Sequence, residues 1–210
     1  ALDSESPTIA AASLSALTLE LAGAPWADEL GLRVVTTQPG FVAAAASGQV
    51  TTFRDADEGL ADLEELTGER QALLTLTDSS YAQVRADPDR ADAWQPTIYV
   101  FESALEGEAL IRLRLALGGE PVGVAALIPA GADLGADEGE ARLVLRPGAA
   151  GEEPSGLLLP EGLAVSAQTL QSGTREALVE LMEAARSTET QSAPWWRDDV
   201  PGLMVVPDRP

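Results

Sequence analysis

The chain has 210 residues, with 34 acids against 13 arginines for a formal net charge of -21, and no lysine, histidine, cysteine or asparagine. It therefore lacks an imidazole proton shuttle, a thiolate nucleophile, a Schiff-base amine and the lysine of a P-loop, and the strongest ligands for zinc, haem and iron–sulfur clusters. No cofactor is expected, and the charge argues against nucleic acid and anionic membrane surfaces, which need clustered positive charge.

The first apolar stretch runs from Ser6 to Gly23. Ser6-Pro7-Thr8 has the form of a helix start. Leu17, Leu19 and Leu21, however, alternate with Thr18 and Glu20, and we expect a strand ending near Leu21. Leu32 to Thr37 and Val50 to Arg54 are β-branched and apolar and predict two further strands. Asp55 is placed to cap a helix that runs to about Leu66, with acids in its first turn where the helix dipole favours them. Gly68 is expected to stop it, and Gln71 to Thr77 to form a strand. Asp78-Ser79-Ser80 introduces a short helix through about Ala86, broken at Asp87-Pro88-Asp89.

From Thr97 the pattern is strand, turn, strand. Thr97 to Glu102, Ala109 to Leu117, Val122 to Ile128, Ala141 to Arg146 and Gly162 to Ala167 are separated by Gly-rich turns. This predicts an antiparallel meander from about residue 97 to 167. A final helix opens at Ser172-Gly173-Thr174-Arg175, with Leu178, Leu181, Met182 and Ala185 on one stripe. The expected fold is α+β: a mainly antiparallel sheet with two or three helices, in one domain over residues 1–187. Residues 188–210 form a C-terminal arm, with an edge strand at Leu203 to Val206 between Pro201 and Pro207.

Four arginines are the candidate partner-binding positions. On strands, Arg112 and Arg114 would share one face and Arg142 and Arg146 another. Should those strands lie near each other, the four make the basic island of an acidic chain, able to dock a carboxylate-bearing segment through bidentate guanidinium contacts. The competing reading is ordinary surface pairing with Glu106, Glu108 and Glu140. Trp195 and Trp196 stand side by side in the arm, where one can anchor and the other meet a partner. Asp133, Asp137, Glu138 and Glu140 are the best of three acid clusters for calcium, but none has the spacing of a known calcium loop.

Scarce AT-rich codons suggest a GC-rich genome, and the acid excess suggests adaptation to salt. No apolar run reaches the ~20 residues that span a bilayer. Ala1 fits removal of an initiator methionine or of a signal peptide equally, so compartment is left open between cytoplasm, virion and export. The leading function is a non-catalytic structural or interaction subunit, homo- or hetero-oligomeric, of a virion or another multi-subunit particle. The alternative is a small-ligand binder or enzyme built from carboxylates and arginine, secreted or periplasmic in a salt-adapted organism.

Overall fold

The computed structural model describes residues 2–4, 7–24, 27–37, 42, 50–129, 142–146 and 155–186. In chain order the elements are β1 (Leu2–Ser4), α1 (Pro7–Gly23), β2 (Gly31–Val35), β3 (Val50–Phe53), α2 (Ala56–Leu76), α3 (Tyr81–Ala86), β4 (Thr97–Phe101), α4 (Gly107–Leu117), β5 (Val124–Leu127), β6 (Arg142–Arg146), β7 (Ser155–Leu159), β8 (Leu163–Ser166) and α5 (Ser172–Arg186). Strands β3-β2-β4-β5, in that spatial order, form an all-parallel sheet. In the second sheet β6, β7 and β8 are antiparallel, and the short β1 joins β6 in parallel.

The fold is therefore α/β, not a mainly antiparallel α+β meander, and five α-helices lie among the described residues. Three expected strands are helical: Ala109 to Leu117 lies in α4, Gln71 to Thr77 falls at the end of α2, and the stretch ending near Leu21 lies in α1. In α4, Ile111-Arg112-Leu113-Arg114-Leu115 alternates as a strand would. Yet the residues it buries are Leu110 and Leu113, with Ala109, Ala116 and Leu117 packed beside them, which is helical spacing. Likewise α2 does not stop at Gly68. Its inward row, Leu60, Leu63, Thr67, Arg70 and Leu74, continues past the glycine to the helix end. An interior glycine costs only about 1 kcal/mol, less than that packing returns.

Parallel pairing follows from these helices. Helix α2 carries the chain from β3 to β4, and α4 from β4 to β5. Both pack on one face, over Val35, Tyr99 and Phe101. Right-handed crossovers require a connection running the other way across the sheet to use the opposite face. Val42, between β2 and β3, is indeed buried there, with Leu14, Leu32, Val34 and Val100.

Helix α1 replaces the strand expected to end near Leu21. It lies between the two sheets. Leu14 and Ala22 pack on the parallel sheet, while Ala10, with Ile9 and Leu17, packs against Leu145 and Ala167 of the second-sheet region. A helix covered on two sides has no single apolar stripe. That is why its leucines resembled a strand pattern. In α5, Val179 packs inward with Leu170. Leu181, expected on the buried stripe, is exposed.

Candidate functional site

In open parallel sheets, ligands bind beyond the carboxyl ends of the strands, where the strand order reverses. Here the reversal falls between β2 and β4, because β2 connects to β3 on one side and β4 continues to β5 on the other. Thr36 and Glu102 follow these two strands directly. Backbone bonds fix both: Thr36 N–H donates to Phe53 O at 3.0 Å, and Glu102 N–H to Val35 O at 3.1 Å. The Thr36 hydroxyl donates to Glu102 Oε2 at 2.5 Å. Arg175, from the first turn of α5, reaches in from above. Its Nη1 donates to Ser15 Oγ of α1 at 3.0 Å and stands 3.6 Å from Glu102 Oε1.

Next to this crevice α2 begins. The amino end of a helix after a parallel strand is a natural anion site. Here Asp55 takes that place, its Oδ1 accepting from Glu58 N–H at 2.9 Å. Gly59 in the same turn lets the helix close on the sheet, since a Cβ there would overlap Val35 Cγ2. The crevice thus holds a carboxylate, a guanidinium and two hydroxyls that engage one another.

A second polar group lies under α2 in mid-sheet. Arg33 of β2 and Tyr99 of β4 are register partners on the face that α2 covers. Arg33 Nη1 donates to the Asp62 carboxylate and, at 2.9 Å, to the Tyr99 hydroxyl, which itself donates to Asp62 Oδ2 at 2.6 Å. Burial, and then the bond to Asp62, push the Tyr99 phenol above its ordinary value. Burial alone would lower the Arg33 pKa, but Asp62 and Tyr99 leave it raised. A phenol whose folded pKa is raised contributes stability below the unfolded value of about 10 and loses it as pH climbs through the folded value. Denaturant melts above pH 10 should therefore show stability falling by on the order of 1 kcal/mol per pH unit. Tyr99→Phe should flatten that slope, and equal slopes in parent and variant would refute the assignment.

The sequence-predicted residues are dispersed. Arg112 lies on α4, where its Nε and Nη2 grip Glu64 Oε1 and Oε2, each at 2.8 Å, and its Nη1 reaches Asp57 Oδ1 at 3.0 Å. Those bonds hold the Glu64 carboxyl below its ordinary value. Arg114 sits two residues on, about 200° around the helix rather than on the same strand face. Arg142 and Arg146 are on β6, opposite Leu159 and Ser155 in the second sheet. The four positions thus belong to different layers and not to one sheet face. Trp195, Trp196, Asp133, Asp137, Glu138, Glu140 and the 188–210 arm lie outside the described residues. Among the described residues, no three carboxylates gather as a metal site would require.

Sequence reasoning missed Arg33, Arg70, Glu102 and Arg175. Two had a signal. Arg33 interrupts the apolar run Leu32 to Val35, and Arg70 occupies a core position of the α2 row.

No protein-family model matches the chain, and no curated protein matches its sequence. A solved structure shares its fold. That structure is EssC (ATPases 2 and 3) from Geobacillus thermodenitrificans, with a TM-score of 0.56 and 9% identity over 88% of this chain. The match covers 43% of the EssC chain, so this protein spans less than half of it. At that identity the likeness concerns the fold alone. Among the described residues no helix is long and apolar enough to cross a membrane.

Proposed function

We propose that the chain is a non-catalytic α/β module that docks to another protein chain within a larger assembly. The observation that carries this reading is the outer face of α4. Ile111 and Leu115, one turn apart on that face, are 58% and 77% exposed, and Leu76 at the end of α2 is 82% exposed. Large aliphatics grouped on an outer helix layer are a common mark of a protein interface. Beside Leu115 runs a shallow groove between α2 and α4, floored by Gly68, Gln71 and Gly119.

The net charge of the chain selects the partner. A second copy would bring together two chains of net charge -21, which repel each other. A different chain with an apolar centre and a basic rim meets both features. The crevice supports the non-catalytic half of the proposal, because its acid and base groups engage one another. The name of EssC speaks of ATPases, but this chain has no lysine to cradle a nucleotide phosphate.

The test is size-exclusion of the protein from its native source, comparing the parent with an Ile111→Glu/Leu115→Glu double variant. The parent should migrate in a larger complex. The variant should elute as a free monomer with an unchanged melting temperature, since neither side chain is buried. Free monomers in both cases would sink the proposal.

A further inference from the structure

At the amino ends of β2, β3 and β4, opposite to the crevice, lies a polar hollow of about 450 Å³. It opens on the α2-covered face beside Gly31, the first residue of β2, whose register partner Thr97 closes up against it so that a Cβ there would stand 3.1 Å from Thr97 Oγ1. Thr51, Arg33, Arg70, Thr97 and the rim residue Asp92 line it. Two guanidinium groups therefore face one cavity of an otherwise strongly acidic chain.

These guanidiniums differ in what they have left to give. Arg70 is 8% exposed. Its Nη1 donates to Val122 O at 3.0 Å and Gly123 O at 3.2 Å, and its Nη2 to Gln95 O at 2.8 Å and Thr97 Oγ1 at 3.4 Å. All four acceptors are neutral, so its charge is held in place but not cancelled by a carboxylate among them. Burial, above all, lowers its pKa, and the charge of Arg33 also disfavours its protonated form. Arg33 spends only Nη1, on Asp62 and Tyr99. Its Nε and Nη2 have no partner among the described residues. That is the edge with which Arg112 grips both oxygens of Glu64 elsewhere in this protein.

We propose that the hollow binds a small carboxylate or phosphate, held bidentately by the Nε/Nη2 edge of Arg33 and favoured by the fixed charge of Arg70. A bidentate guanidinium contact suits either oxyanion. Asp92 at the mouth and Asp62 beside Arg33 offset the two positive charges. The site therefore takes a compact anion of low charge and rejects a polyanion. The hydroxyls of Thr51 and Thr97 supply further polar lining on either side of Arg33. This site is independent of the docking face on α4, and either can exist without the other.

Calorimetric titration of the whole chain with inorganic phosphate and, separately, with succinate, at constant ionic strength in chloride, tests the proposal. The parent should bind at least one probe at millimolar concentration, and which one it binds distinguishes phosphate from carboxylate. Arg33→Gln should weaken that binding by at least about tenfold. Because Arg33 also braces Asp62 and Tyr99, a second variant, Thr51→Glu, guards against misfolding. It places a carboxylate at an exposed strand position beside the guanidinium and should compete with the ligand while leaving the melting temperature intact. Failure of both probes to bind the parent overturns the site. So does unchanged binding in a folded Arg33→Gln, or in Thr51→Glu should Arg33→Gln not fold.

Discussion

Replacing Arg70 by methionine should destabilise the fold by about 2–4 kcal/mol and lower the melting temperature by roughly 10 °C. The aliphatic stem of arginine is matched by methionine, so the loss isolates the guanidinium. Removing it strands the carbonyl of Val122, which receives a bond from Arg70 at 3.0 Å, and takes from Gln95 O its donor at 2.8 Å, leaving that carbonyl the Thr97 hydroxyl at 3.4 Å. Each buried carbonyl left without a donor costs about 1–3 kcal/mol. Gly123 O is less affected, because it also accepts Thr97 N–H at 2.8 Å. The Trp94 ring, 5.8 Å from the guanidinium carbon, loses a cation–π contact. Relief of the burial penalty that lowers the Arg70 pKa keeps the total below the simple sum. A loss under about 1 kcal/mol in urea melts would mean that the tie between α2 and the amino ends of β4 and β5 is dispensable.

Gly123→Ala should cost about 2–4 kcal/mol, through two separate causes. Gly123 has φ +73°, in the left-handed region. A Cβ there would also overlap the Tyr81 ring. That ring cannot swing away freely, since its hydroxyl donates to Trp94 O at 3.2 Å and it packs on the Trp94 ring at 6.4 Å between centroids. Gly68→Ala is the matched control. Gly68 lies inside α2 with open space around its Cβ position. The same substitution there should stabilise by up to about 1 kcal/mol. Opposite signs for one chemical change, read by denaturant unfolding, are the expected result. Equal signs would contradict the backbone assignment at one of the two positions.

Strands were largely legible in the sequence, and their connections were not. β2, β3, β4, β5, β6 and β8 fall where β-branched and apolar runs placed them, and α3 follows Asp78-Ser79-Ser80 as expected, closed by a capping box between Ser80 and Gln83. Whether neighbouring strands run parallel depends on what joins them. Gly107 to Leu117 decided that. Its five alternating residues satisfy a strand pattern, while its buried leucines three apart satisfy a helix, and only the neighbouring α2 resolves the two. β7 was missed because Ser155-Gly156 follows a Gly-rich acidic stretch that resembles a turn.

The polar sites were less legible for the same reason. The arginines singled out stood in pairs, two or four residues apart. Those that the fold gathers stand alone in sequence: Arg33, Arg70 and Arg175 come from β2, the far half of α2 and the first turn of α5. Their partners lie up to 160 residues away, as with Arg175 and Ser15. Spacing along the chain carries no trace of such a meeting.

The central position of α1 bears on how the protein is made. Helix α1 is made well before one of its two coverings. Leu32 and Val34 follow soon after it, but Leu145 and Ala167 come more than a hundred residues later. At ordinary translation speeds of about 5–20 residues per second, that interval lasts roughly 6–30 s. Throughout it Ile9, Ala10 and Leu17 wait for the residues that cover them in the folded protein. During synthesis α1 is thus a natural target for chaperones that hold apolar helices.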